Sequence, residues 1–185
     1  MVKAWLVISV AFAIVLGGTN FFTYNFLILF AAAAVGVGSG FLFHELAHKI
    51  VAQRYGCWAE FRADNVMLLF AFLMAVLIRF VFAAPGAVMI SGGHVDLKRN
   101  GKISVAGPAT NFVLAVLFLI GMFLLPNIIF AYGFLINAWL GLFNLIPFGF
   151  FDGAKIFRWN IGIWLGAVVV GVFLVFLTFR FGMFG

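Results

Sequence analysis

His44, Glu45 and His48 stand in an H-E-x-x-H spacing. On an α-helix, residues four apart share a face, so both imidazoles can reach one metal ion. Glu45, at the position after the first histidine, can act on a metal-bound water rather than on the metal itself. The signature lies inside a long apolar stretch, roughly Phe26 to Tyr55. The helix that carries it therefore reads as a membrane span, and the chemistry it suggests is metal-assisted hydrolysis of a peptide bond at membrane depth.

Catalytic zinc sites use three protein ligands and a water, so a third ligand is needed. Beyond Glu45 the acids are Glu60, Asp64, Asp96 and Asp152, and the remaining histidine is His94. Glu60, Asp64, His94 and Asp96 lie in polar or interfacial sequence, where a solvated side chain is the ordinary explanation. Asp152 follows the apolar run Phe143 to Phe151. An ionised carboxylate there is costly unless it is paired or bound to a metal. Pro147, in the same run, removes a backbone donor and opens the helix. Irregular backbone at membrane depth survives only where protein buries it or where it lines a wet cavity. Asp152 thus reads as part of a site wall. The competing reading is a helix-ending acid at the interface beside Lys155 and Arg158.

The elements that must position these residues follow from composition. Of 185 residues, 66% are hydrophobic and 9% charged, which excludes a soluble globular domain. A span needs about 20 apolar residues, so the chain has room for five or six and for no soluble domain of ordinary size. The expected fold is an all-α polytopic membrane protein with five to six transmembrane segments. A small membrane-associated β element is expected between the second and third core segments. The formal charge of +6 is assigned to topology, not nucleic acid, because the basic residues flank apolar segments. Cys57 is the single cysteine, which excludes an internal disulfide and a cysteine-rich zinc site.

Segment one runs from about Ala4 to Gly18 and has no A-x-A cleavage site near Gly17-Gly18, so it is expected to be a retained span rather than a signal peptide. A connector, Thr19 to Asn25, leads to segment two, Phe26 to about Tyr55. Small residues from Gly36 to Gly40 suit close helix packing. Cys57 to Asn65 partly alternates and reads as a strand, and Ala87 to Ile90 is also β-compatible. Val66 to Ala84 is apolar apart from Arg79, which would snorkel to the headgroups, and is broken by Pro85-Gly86. Ser91 to Lys102 is a polar stretch. Segments three, four and five are Ile103 to Leu125, Asn127 to about Phe151 (broken near Pro147) and Ile161 to Phe181. If Val66 to Ala84 enters and leaves on one side, Lys98, Arg99, Lys102, Lys155 and Arg158 all fall on the cytoplasmic side with Lys49, Arg54 and Arg62. A full crossing would separate Asp152 from His48. Val66 to Ala84 is therefore expected to be re-entrant or interfacial, with the active site near the cytoplasmic side.

Three elements together resemble a known family. These are His44-Glu45-x-x-His48 in one span, Gly107-Pro108-x-x-Asn111 opening segment three, and Asn144-x-x-Pro147 followed by Asp152-Gly153. They look like the site-2 protease family of intramembrane zinc metalloproteases, over roughly Phe26 to Arg158. The resemblance implies one catalytic Zn²⁺ held by His44, His48 and Asp152, with Glu45 as general base. It implies that Asn144 positions the substrate backbone or stabilises the oxyanion. Asn111 is either a catalytic support or a polar residue joining helices. The expected division is residues 1–25 as first span and connector, 26–158 as metalloprotease core and 159–185 as C-terminal span. The expected partners are a transmembrane protein substrate and the lipid bilayer. No PDZ or CBS regulatory domain is expected in the chain. The competing functions are a proteolytically inactive metal-binding or chaperone-like relative, against which Glu45 argues, and a metal transporter. Against the transporter, the sequence shows neither an inverted repeat nor a second ligand cluster.

On this reading Asp152→Asn loses both tight zinc binding and cleavage, whereas Asp64→Asn, His94→Ala and Asp96→Asn each keep substantial activity. Zinc content and cleavage of a membrane-embedded test substrate measure both. Normal cutting by Asp152→Asn would mean that the site is built from other residues.

Overall fold

The computed structural model describes residues 1–17, 24–81, 86–91 and 95–181. In chain order these form α1 (Val2–Gly17), α2 (Tyr24–Arg54), β1 (Trp58–Ala63), α3 (Asn65–Ile78), β2 (Gly86–Ser91), α4 (Leu97–Leu124), α5 (Ile128–Phe143), α6 (Asp152–Trp159) and α7 (Ile161–Arg180). The stretches Phe26–Arg54, Leu97–Leu124 and Ile161–Arg180 are long and apolar enough to cross a membrane. At 1.5 Å per residue, even the 20-residue α7 reaches about 30 Å, the thickness of a hydrocarbon core. The helices α1, α3 and α5 are apolar but shorter, at 16, 14 and 16 residues. The chain is a mainly helical membrane protein.

The centre of the molecule is the mutual packing of α2, α4 and α5, with α1 against α2, α3 against α1, and α6 and α7 closing the other flank. Gly36 of α2 meets Gly133 and Ile136 of α5, so the small-residue stretch serves close helix packing. Phe112, Phe134, Ala138, Leu145, Ile156 and Leu174 form one core cluster against α7. Ile8, Val37, Phe41, Leu68, Ile136 and Leu140 form a second, beside α1 and α3. Outside these clusters large apolar side chains remain exposed, among them Leu69, Leu73 and Leu77 of α3. Such an exposed apolar face suits a hydrocarbon solvent.

The two strands pair antiparallel, from Trp58 opposite Ser91 to Ala63 opposite Gly86. The helix α3 is therefore an insertion between two partners of one hairpin. Asp64 caps its start by accepting from the Val66 and Met67 amides. Arg79 ends it at φ 53°, in the left-handed region, with its amide donating to the Met74 carbonyl. Because Ala63 faces Gly86, both ends of the insert return to one place. Pro85, His94, Gly18 at the end of the first segment and residues 19–23 of the first connector lie outside the described residues.

Three segment boundaries differ from those read in the sequence. The third long helix begins at Leu97 rather than Ile103, because Asp96 caps it by accepting from the Arg99 amide at 2.7 Å. Six residues assigned to a polar connection are thus helical. The fourth segment ends at Phe143, not Phe151, since the residue before a proline disfavours helical backbone and the chain turns ahead of Pro147. The short helix α6 then starts at Asp152, an element too short for periodicity to reveal.

Single cysteines replacing Arg62 and Lys98, in a Cys57→Ser background, are expected to react with an impermeant thiol reagent from the same membrane face. The hairpin that closes the insert requires this. Labelling from opposite faces would mean that the insert crosses the bilayer.

Candidate metal centre

His44 and His48 project one turn apart from α2, with ring centroids 4.6 Å apart and planes at 84°. The acid that joins them arrives from α6. Asp152 Oδ2 lies 2.9 Å from His48 Nε2 and 3.2 Å from His44 Nε2, and the two Nε2 atoms are 3.0 Å apart. Two contacts fix the turn that delivers Asp152. The Gly153 amide donates to the Asn144 carbonyl at 2.7 Å, and Trp164 Nε1 of α7 donates to the Leu145 carbonyl at 2.7 Å. Gly153 has no room for a side chain, since a Cβ there would overlap the Leu145 carbonyl.

The other ring nitrogens decide which atoms face the cluster. His48 Nδ1 is 2.8 Å from the Ile103 carbonyl, which can only accept. Nδ1 therefore carries the hydrogen and Nε2 of the neutral ring a lone pair. His44 Nδ1 is hydrogen-bonded to Asn111 Oδ1 with the same consequence. Two lone pairs and a carboxylate oxygen thus converge with no hydrogen between them. This is unfavourable without a cation and is the donor set of a catalytic zinc site. Ligands of a tetrahedral zinc ion lie roughly 3.3 Å from one another, close to the spacings seen here. Space is kept by Gly107 of α4, where a Cβ would stand 2.5 Å from Nε2 of both histidines. Among the described residues, His44, His48 and Asp152 are the group of histidines, cysteines and acids able to share an ion.

Glu45 is also buried, and its Oε2 has no hydrogen-bond partner. It opens on the same cavity, of about 1090 Å³, as His44, His48, Asp152, Asn144 and Lys155. An unpaired buried carboxylate oxygen is costly and available to a proton. Lys155 Nζ stands 3.4 Å from Asp152 Oδ1. Asn144 lines the cavity while its Nδ2 donates to the Leu140 carbonyl at 2.9 Å. Val66, Met67 and Phe70 of α3 form part of another wall.

Of the remaining sequence candidates, Asp64 and Asp96 are helix caps and Glu60 is an exposed acid 4.0 Å from Arg62, so none joins the cluster. His94 lies outside the described residues. Asn111 sits beneath His44 and touches it directly. Sequence reading passed over Asn137, which is fully buried and bonded to Asn111. Its signal was an amide inside the apolar helix α5, where polar groups are expensive.

The chain is 43% identical over 162 residues to a protein of Methanocaldococcus jannaschii named "Putative zinc metalloprotease MJ0611", covering 83% of this chain and 85% of that relative. The chain belongs to the site-2 protease family of zinc metalloproteases. Zinc is accordingly its cofactor, and the three convergent donor atoms fit that ion. A second relative in the metalloprotease group is "Putative zinc metalloprotease Rip3" of Mycobacterium tuberculosis, 31% identical over 141 residues. That match covers 71% of this chain and 31% of Rip3, so the chain spans about a third of that longer metalloprotease. No family profile and no solved structure matches the chain.

Gly107→Ala places a methyl group against both metal-facing nitrogens. It is expected to weaken zinc binding by about tenfold or more, the scale seen when metal ligands are displaced from their supported positions, while helical circular dichroism is unchanged. Zinc competition with a chromophoric chelator measures this, and an unaltered affinity would mean that α4 does not fix the ligand spacing.

Proposed function

We propose that this metalloprotease is an intramembrane endopeptidase that hydrolyses peptide bonds within or near transmembrane segments of other membrane proteins. The observation that carries the reading is the position of the metal-binding turn. His44, Glu45 and His48 belong to a helix that is itself long and apolar enough to cross the bilayer. The third ligand, 104 residues later, is brought to the same depth.

The chemistry divides among the residues. Bound zinc supplies Lewis acidity and water whose pKa is lowered to about 7. His44, His48 and Asp152 hold the ion. Glu45, whose Oε2 is free of other partners, takes the proton from the attacking water and returns it to the leaving amine. Asn144, at the cavity wall, shares the charge that develops on the scissile carbonyl oxygen. A substrate helix hides its carbonyls in hydrogen bonds, so the cleaved segment must unwind. An unwound strand can be held by pairing with an edge of the β1–β2 hairpin, whose Arg62, Ala63 and Met89 line the cavity.

The topology we infer is multi-pass, with five to six segments and the site near the cytoplasmic side. Lys3 Nζ donates to Asn65 Oδ1 at 2.8 Å, which supports placing the amino terminus at the end where α3 begins. Arg99 lies over the Tyr55 ring and Gly101 meets Trp159, so the ends of α2, α4 and α6 that carry Arg54, Lys98, Arg99, Lys102 and Arg158 lie close together, in keeping with the positive-inside pattern. In this arrangement α3 is re-entrant and walls one side of the cavity, where it serves as a lateral gate for a substrate span. The core is residues 26–158, flanked by a first span with its connector (1–25) and a C-terminal span (159–185). The partners are the bilayer and a transmembrane protein substrate.

Glu45→Gln tests the assignment. It is expected to retain zinc near wild-type occupancy and to lower cleavage of a membrane-embedded substrate by about 10²–10⁴-fold, the usual contribution of a general base. Loss of zinc from the folded variant would show that Glu45 holds the metal and is not the base.

A further inference from the structure

The hydrogen bonds behind His44 form a directed chain that starts at backbone. Asn137 Nδ2 donates to the Gly133 carbonyl at 2.8 Å and to the Gly36 carbonyl at 3.3 Å. A carbonyl can only accept, so the amide of Asn137 has one orientation, with both Nδ2 hydrogens committed and Oδ1 turned to Asn111. Asn111 Nδ2 donates to that Oδ1 at 3.2 Å and to the Gly40 carbonyl at 3.1 Å. Its own two hydrogens are then committed as well, and Asn111 Oδ1 remains to accept from His44 Nδ1. The ring is left with its lone pair on Nε2, the atom 3.2 Å from Asp152 Oδ2.

Both amides are fully buried. A fully buried amide on the apolar helix α5 has a desolvation cost that packing alone does not justify. Space around the pair is also tight, since a Cβ at Gly40 would stand 2.9 Å from Asn137 Oδ1 and 3.3 Å from Asn111 Nδ2. The amides therefore cannot swing to other partners. Asn137 touches neither substrate space nor metal-facing atoms, and its influence on the site passes through Asn111.

We propose that Asn137 is a positioning residue of the zinc site, which sets the orientation of Asn111 and thereby the tautomer and ring angle of His44. The proposal rests on His44 being a zinc ligand, as in the function proposed above. It adds α5 to the helices that determine the site.

The test uses the full chain in detergent or nanodiscs and reads the metal directly. Asn137→Leu keeps the side-chain volume and removes the amide. We expect its zinc dissociation constant to rise about tenfold or more, as for other partners that orient a ligand. We also expect the visible absorption bands of the Co²⁺-loaded protein to shift, with helical content unchanged. Asn111→Ala should show the same changes, and adding Asn137→Leu to Asn111→Ala should weaken zinc binding no further. Asn137→Ser, smaller and still polar, replaces Asn137→Leu if the latter does not fold. Wild-type zinc affinity and cobalt spectrum in either variant would overturn the proposal. So would a double variant whose loss is the product of the two single losses, since that would make Asn137 independent of Asn111. None of these readouts requires cleavage. A wild-type chain that binds zinc and cuts no membrane-embedded substrate would sink the protease reading and leave the positioning role standing.

Discussion

Two imidazole lone pairs and a carboxylate oxygen, each about 3 Å from the others, repel one another in a medium of low dielectric constant. Holding them together is the task around which the rest of the molecule is arranged. Each ring is pinned from behind by an acceptor, the Ile103 carbonyl for His48 and the Asn111 amide oxygen for His44. Asp152 is pinned by the turn it opens, through the Gly153 amide and through Trp164 from the last helix. Gly107 keeps the adjoining helix from filling the space. Helices α2, α4, α5, α6 and α7 all contribute to this restraint. Their close mutual packing is therefore a condition of the chemistry as well as of the fold.

The cavity combines two demands that a bilayer usually separates. Peptide hydrolysis needs water, and a membrane helix needs its surroundings dry. Here His44, Glu45, His48, Asn111, Asn144 and Asp152 gather at one pocket bounded by α2, α3, α4, α6 and the hairpin, while many large apolar side chains face outward from the helices. The irregular backbone after Asn144 lies at the pocket wall, which Phe148 to Phe151 line, and its Asn144 and Leu145 carbonyls accept from the Gly153 amide and Trp164 Nε1.

Much of this was legible in the sequence where the signal is local or costly. Two histidines four apart need only helical periodicity, and an aspartate closing an apolar run advertises its own expense. The strands around Trp58–Ala63 and Gly86–Ser91 followed from alternation and short β-compatible sequence. Their pairing across an intervening helix did not, because register depends on contacts between distant residues. The start of α4 was misread because Lys98, Arg99 and Lys102 resemble a loop, while the Asp96 cap that overrides them is a single side chain. Helix α6 is one amphipathic turn after another for only eight residues. Asn137 was passed over for a different reason. Its partners include the Gly36 carbonyl of another helix, and any residue has a carbonyl, so no residue type marks the bond.

The two histidines are neighbours on one turn, but Asp152 is 104 residues further along the chain than His48. To bring such ends together in a flexible polymer costs about 4 kcal/mol of loop-closure free energy, from its logarithmic dependence on length. A metal ion that joins them bears that cost in the manner of a cross-link, and its binding free energy becomes part of the folding free energy. The ion thereby ties the helix of the histidines to the turn before the last helix. The half-site of His44 and His48 can form as soon as α2 does, whereas the complete one exists only after nearly the whole chain has been threaded into the membrane. Catalytic competence is in this sense a checkpoint on assembly: a partly inserted chain carries two ligands and no finished site.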